Sequence, residues 1–472
     1  MSARSPWTRL SLAAGALFLA PGCAVGPDYK RPEAAVPQAF SEEGPWKVAE
    51  PRDSLPREGW WRIFHDPALD SLERRAVSAS PTLASALARY DQALAAARVT
   101  ASELYPGLSV QPSNDRELYP RNRQSEYPST TFGYTSNSFN LPLVLNYEVD
   151  VFGQARRSLE SARAEAQAQG ALYRNVLLTL EAGVAQNYFT LRSLVSQREL
   201  LEQNVGLLRD ALDLVIKLRR GGANSDLDVF QAQAQLAGVE ASELAAEEAI
   251  AEQRHALAVL VGESPEGFSL DAAPLDAPAP PVPVGLPSEL LERRPDVAAA
   301  ERALAAASAR IGVAKAAFFP SIGLTAMAGA NSSALNNLLT GNSAQWAVAP
   351  FLSLPLFAGG ANLAGYREAQ AAYSGALADY RGQVLLAFQQ VEDGLSDLRI
   401  LERQTDALER AVSASGSASR LSLVRYKAGL VSYIEVIDSQ RTQLQSELSL
   451  AQARASQLSA TVLLVRALGG GW

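Results

Sequence analysis

The chain has 472 residues and a formal net charge of −8, with 50 acidic against 42 basic side chains, so it lacks the basic balance of a nucleic-acid-binding surface. A single cysteine excludes an intramolecular disulfide. Two histidines and two methionines leave little for a metal centre or a hydrolytic triad, and no phosphate loop, dinucleotide fingerprint or metalloprotease helix occurs.

Residues 1–22 read as a signal peptide. Arg4 and Arg9 precede an apolar run, Leu10 to Ala20, that is too short to span a bilayer, and Ala20-Pro21-Gly22-Cys23 follows. This resembles a bacterial lipoprotein signal, although Ala20 stands where leucine is usual. The resemblance implies a covalent lipid, palmitate included, on Cys23 and no other bound cofactor. Residues 23–65 are proline-rich and read as a lipidated tether.

Two similar units follow. In the first, 66–262, Leu69, Leu72, Ala76, Leu83, Leu87, Tyr90 and Leu94 recur at helical spacing, predicting one helix to about 105. Strict alternation from Phe139 to Val149 predicts a membrane-type strand at about 139–149, with a partner at about 107–115. The polar stretch Arg116 to Asn137 reads as the loop between them. A long helix is expected over 154–220, about 100 Å at helical rise, and a return helix over 227–261. Its heptad positions from 177 to 215 form a coiled-coil seam, apolar except at Asn187 and Arg198. A Pro-rich linker spans 263–287.

The second unit, 288–468, repeats the plan: a helix, strands at about 321–330 and 346–356, a long helix at about 360–425 and a return helix at about 434–468. Pro350 weakens the last strand. The seam from 384 to 422 is only half apolar, leaving open whether Ser415, Ser419 and Ser422 let helices approach closely or the register shifts. Motifs recur at fixed offsets. Tyr426-Lys427-Ala428-Gly429 lies 207 residues after Arg219-Arg220-Gly221-Gly222, and Phe319-Pro320 lies 214 after Tyr105-Pro106. Four strands cannot close a barrel, and an open edge in lipid strands its polar groups. Three chains would supply twelve strands.

From Cys23 to about Arg466 the chain resembles the TolC-like outer-membrane efflux proteins, in the lipid-anchored OprM/NodT group. Gly26-Pro27-Asp28-Tyr29-Lys30-Arg31-Pro32, Trp60-Trp61-Arg62-Ile63-Phe64-His65-Asp66-Pro67 and Arg294-Pro295-Asp296-Val297 carry the likeness, with both tip motifs. The resemblance implies a homotrimer: one shared twelve-stranded β-barrel in the outer membrane, continued by a long α-helical coiled-coil tunnel into the periplasm. It implies a periplasmic adaptor (membrane fusion) protein and an inner-membrane pump of the resistance-nodulation-division type as partners. The role is a passive exit duct for drugs or other small solutes, as in multidrug resistance, and not an enzyme. Type I protein secretion, or a lipid-anchored periplasmic scaffold without a pore, are the alternatives.

Gly222 and Gly429 suit the reversals between long helices, and Ser225/Asp228 and Ser432/Glu435 have capping-box spacing. In the family, acids at these positions narrow the periplasmic mouth. Carried over, the gate is Asp228, Glu435 and Asp438, with Tyr426 as a latch partner. Val431 stands where a latching arginine is sometimes found, with Arg425 or Arg220 as substitutes.

Overall fold

The computed structural model describes residues 24–32, 59–120, 133–275, 279–280, 282 and 293–470. The signal peptide, Cys23, most of the tether and part of the linker lie outside them. The helices are α1 (Pro67–Ala79), α2 (Pro81–Ser102), α3 (Gln154–Arg220), α4 (Asp226–Leu260), α5 (Pro295–Ala316), α6 (Ala361–Lys427) and α7 (Tyr433–Ala467). The strands are β1 (Gly107–Val110), β2 (Ser113–Tyr119), β3 (Tyr134–Val149), β4 (Ser321–Ser332) and β5 (Ala344–Ser353).

The internal repeat is carried into the elements. Helices α3 and α6 each have 67 residues, α4 and α7 each 35, and α2 and α5 each 22. Their endings repeat too. Gly222, Gly262, Gly429 and Gly469 all take positive φ, between 71° and 89°. At each, the glycine N–H reaches the carbonyl three residues back and the next N–H reaches five back, as in Gly222→Arg219 and Ala223→Leu218 or Gly429→Tyr426 and Leu430→Arg425. This is the Schellman closure, which satisfies the last carbonyls and needs a residue without Cβ.

Contacts divide the described chain into two units. One holds the described parts of Met1–Pro32, Tyr90–Ala168 and Ala300–Asp379. Its centre is an antiparallel sheet in the order β1-β3-β4-β5, with β2 also on β3. The strand expected at 107–115 is two strands. They break at Gln111-Pro112, opposite Leu141-Pro142, where both prolines lack the N–H a ladder requires. The hairpin also runs further than expected: Arg116–Tyr119 and Tyr134–Asn137 are paired strand, closed by stacked Tyr119 and Tyr134 rings 5.1 Å apart. Cross-strand pairs such as Glu117–Ser136 and Leu118–Thr135 give this polar stretch a ladder that its composition hides. Residues 121–132 lie outside the described chain. Strand β5 ends at Ser353 rather than 356, just before Pro355, and keeps Pro350 within it, opposite Leu324.

In the same unit the segment after Cys23 is pinned, not loose. Val25 N–H donates to Phe152 O (3.0 Å), Asp28 pairs with buried Arg157 (2.6 Å), and Tyr29 OH donates to Glu301 (3.1 Å). Gly26 lies against the backbone of Gly312, leaving no room for a side chain.

The other unit holds the described parts of Glu33–Arg89, Gln169–Ala299 and Tyr380–Trp472. The predicted helix 66–105 is interrupted by Ser80-Pro81, because proline can start a helix but not continue one. Trp60–Phe64 is a 3-10 turn whose tryptophans are buried, so the tether ends before Gly59. Asp66 explains the motif around it. One oxygen caps α1 through Ala68 and Leu69 N–H, and the other accepts from Tyr188 OH and Arg192, both at 2.8 Å. The core gathers Trp60, Leu69, Leu72, Val184, Leu191, Leu257, Leu395, Leu464 and Val465. Arg294 joins the second copy in the same way, donating to Ala467 O, Gln390 and Asp296. Burial opposes ionisation of Asp296, but Arg294 outweighs it and holds the carboxyl below the usual range.

Both coiled-coil seams are inside. None of the twelve first-copy positions from Leu177 to Val215 is exposed, and neither is any in the 384–422 register. The register therefore does not shift. Gly394, Thr405, Ser415, Ser419 and Ser422 are buried. A methyl on Gly394 would press on Leu464 at 3.3 Å, and Ser422 hydrogen-bonds Ser439 across to α7 at 2.5 Å. Small residues here bring α6 and α7 close, and hydroxyls bonding to each other or to backbone carbonyls avoid the burial penalty.

Thr405 Oγ1 has no such partner, and a buried acid departs from the rule further. Glu73 is fully buried on α1, and neither carboxyl oxygen has a hydrogen-bond partner. Burial first, then the Glu181 and Asp70 carboxylates, push it up to about 10. Trp60 Nε1 donates to Glu181 at 2.9 Å, which keeps that neighbouring carboxylate in place. Glu73 is therefore a neutral acid at neutral pH. Because its folded pKa lies above the ordinary 4.5, the stability it supports is complete below about pH 4.5 and is lost as pH climbs towards 10. Glu73→Gln, which keeps the neutral shape, is expected to stabilise the fold at pH 8 by on the order of 1–3 kcal/mol and to flatten this pH dependence. Thermal melts from pH 5 to 10 check it; an unchanged slope would sink the assignment.

Candidate functional site

The two helix reversals come together. Val215, Ala232, Tyr433, Val436 and Ile437 form one cluster, with Leu212, Val229, Leu423 and Tyr426 packed against it. This joins the ends of α3 and α6 to the starts of α4 and α7. The candidate gate residues sit on its rim in different surroundings.

Asp228 is half-buried and committed to the turn. Its Oδ2 accepts from Ser225 N and Ser225 Oγ, both at 2.9 Å, and its own N–H donates to Ser225 Oγ at 3.3 Å. That is a complete capping box. The second copy departs from it: Ser432 makes no side-chain cap, and its carbonyl instead accepts from Glu435 N–H at 3.2 Å. Glu435 is exposed and faces Arg425 at 3.5 Å. Equal spacing thus gives two outcomes, because the arginine before the second turn draws the acid away from the cap. Asp438 is exposed, and only its backbone carbonyl takes a hydrogen bond, from Thr442.

Tyr426 OH accepts from Asn224 Nδ2 at 2.5 Å, so a hydrogen bond joins the first reversal to the second. Asn224 lies 207 residues before Val431. The polar partner thus comes from the first copy at the position where the second copy has valine. Sequence reading passed over Asn224, although the repeat offset was the signal that could have found it. It also passed over the Arg219–Asp226 ion pair beside the same turn. Tyr433 lies against Tyr426 with the rings tilted and 5.4 Å apart, and burial, then Tyr426 and Asp228, push its hydroxyl up to about 12. It stays neutral and fills the cluster.

The sheet has two unlike faces, set by its register. Residues directly opposite in a ladder point the same way. One face carries Leu141, Leu143, Leu145, Ile322, Leu324, Ala326, Val348 and Leu352, with Phe139 and Trp346 towards one end and Tyr147 towards the other. The other carries Asn140, Asn146, Thr325 and Asn331, with Ser113 and Asp115 beside Asn140. Its polar groups bond one another: Asn146 with Thr325 at 3.1 Å, and Asn140 with Asn331 and with Ser138. A two-faced sheet with flanking aromatics is the pattern of a barrel wall in lipid. Among the described residues no helix is long and apolar enough to cross a membrane, and no group of three or more His, Cys, Asp or Glu is placed to hold a metal ion.

The asymmetry of the caps has a measurable consequence. Ser225→Ala is expected to loosen the start of α4 by about 1 kcal/mol, while Ser432→Ala changes the start of α7 by a few tenths. Amide hydrogen exchange in the first turns of α4 and α7 reads both; equal losses would contradict the structure.

Residues 72–263 and 286–470 match the family model described as outer membrane efflux protein. The chain is 34% identical over 468 residues to the probable efflux pump outer membrane protein TtgC of Pseudomonas putida, covering 98% of this chain and 95% of that one. It is 30% identical to the outer membrane protein OprJ of Pseudomonas aeruginosa, over 95% and 93% of the two chains. The solved outer-membrane channel OprN superposes with a TM-score of 0.88 at 32% identity, over 95% of this chain and 100% of that one. The outer membrane protein VceC of Vibrio cholerae superposes at 0.81 with 27% identity, over 87% and 98%. Matched along both of its repeats, this chain belongs to the outer membrane efflux protein family.

Proposed function

We propose that this outer-membrane efflux protein works as a homotrimer, a passive exit duct for small solutes driven by an inner-membrane pump. The open sheet carries the reading. Its apolar face calls for lipid, yet β5 is an edge within the chain, and so, at the other side, are β1 and β2. In hydrocarbon each unsatisfied N–H or C=O costs several kcal/mol, so only closure with other copies is tolerable. The split pair β1/β2 counts as one crossing, so each chain crosses four times and three chains close twelve strands. The long helices, with their buried seams, form the wall of the periplasmic tunnel. The names of the relatives favour efflux over protein secretion. A pore-less scaffold has no use for a sheet apolar on one face and polar on the other.

The partners proposed are a periplasmic adaptor and a pump of the resistance-nodulation-division type. Cys23 is the proposed site of lipid attachment, directly before the pinned segment that starts at Ala24. The tip is the proposed gate. Three copies of Asp228, Glu435 and Asp438 would crowd carboxylates at one mouth, favouring cations, while Asn224–Tyr426 holds the two reversals of each chain together.

Light scattering on the purified detergent particle is expected to give three chain masses. A monodisperse single chain would overturn the duct. In planar bilayers Tyr426→Phe, which removes the Asn224 bond, is expected to raise leak conductance several-fold, and Glu435→Ala to reduce cation preference. If neither changes, the gate reading fails while the capping role of Asp228 survives.

A further inference from the structure

We propose that Phe351, laid over Gly323 beside Glu148, forms with its trimer mates an aromatic and acidic collar that contacts organic cations passing through the duct. The idea rests on the duct reading above. Glu148, Gly323 and Phe351 are directly opposite one another on β3, β4 and β5, so they share one face. That face also holds Asn140, Asn146, Thr325 and Asn331, and it is the lumen side, since these polar side chains are costly against lipid and the leucines lie on the opposite face. The row lies one residue short of the helix end of the sheet, where β3 finishes at Val149.

Phe351 is the aromatic side chain that β4 and β5 place on this face. Its ring is half exposed, at 50%, and lies so close to Gly323 that any side chain there would overlap it. Glycine thereby leaves room for the ring, on the cross-strand row that also carries the Glu148 carboxylate. Charge points the same way. The charged side chains on this face of the five strands are Asp115, Glu117 and Glu148, and no Lys or Arg stands there. An aromatic face flanked by carboxylates attracts cations, best those with an apolar body. An exported aromatic or alkylated ammonium compound fits; an anion does not.

Saturation-transfer NMR tests this on the full-length protein in nanodiscs, with phenyltrimethylammonium as the probe and empty nanodiscs as the blank. Phe351→Leu keeps an apolar cover over Gly323 but removes the π-face, and is expected to weaken binding about fivefold. Glu148→Gln should weaken it as well, and Phe351→Tyr should retain it. Equal binding by the wild type and the Leu and Gln variants would overturn the collar and leave Phe351 as packing over a glycine. The two readings fail separately. A single-chain particle in light scattering sinks the duct, whereas a trimer whose Leu variant binds as tightly as the wild type sinks only the collar.

Discussion

Backbone hydrogen bonds that must be made without water are the constraint on which the rest of this protein depends. In lipid an edge strand has no solvent to fall back on, so a sheet with one apolar face has to close. This chain presents an open sheet with edges at β1/β2 and at β5. The proposed assembly, with its lumen, rests on that one requirement. The alternation of side chains sets the two faces apart: leucine, isoleucine and alanine on one, the asparagines and Thr325 on the other.

The same constraint recurs at the helix ends in milder form. A helix leaves its last carbonyls unsatisfied. Four helices here end in one closure built on Gly222, Gly262, Gly429 and Gly469, spaced so that each copy of the repeat ends its helices alike. Duplication has thus preserved the solutions to backbone problems. It has not preserved the chemistry placed on them. Asp228 caps its helix, whereas its counterpart Glu435 faces Arg425; Asn224 reaches Tyr426, whereas its counterpart is Val431. Duplicated scaffolding with divergent side chains produces a tip in which the first reversal is braced and the second carries exposed acids.

Packing of the long helices shows a second economy. The seam of the first copy is leucine and valine except at Asn187 and Arg198, and half of the second is small or hydroxyl residues, yet no position of either is exposed. Hydroxyls among them are tolerated because each of Ser415 and Ser422 finds a carbonyl in its own helix. Glu73 is a buried acid without such a partner, and it keeps its place by staying protonated.

The sequence by itself determined the repeat, the two long helix pairs to within a residue or two, the β-type segments and the family. These signals are local or periodic: prolines absent over 154–220, apolar residues every three or four, strict alternation from Phe139 to Val149. What it left undecided depended on residues far apart in the chain. The break at Pro112 makes sense only opposite Pro142, and the extension of β2 and β3 only through cross-strand pairs. The second seam could be settled only by seeing how near α7 comes to α6. Capping-box spacing at Ser432 did not become a cap, because Arg425 faces Glu435 from the preceding helix. Phe351 gains meaning only when Gly323 is found beneath it. Periodicity states which way a side chain faces; only the tertiary structure states what it meets there, because contact energies depend on the partner and the partner is not in the local sequence.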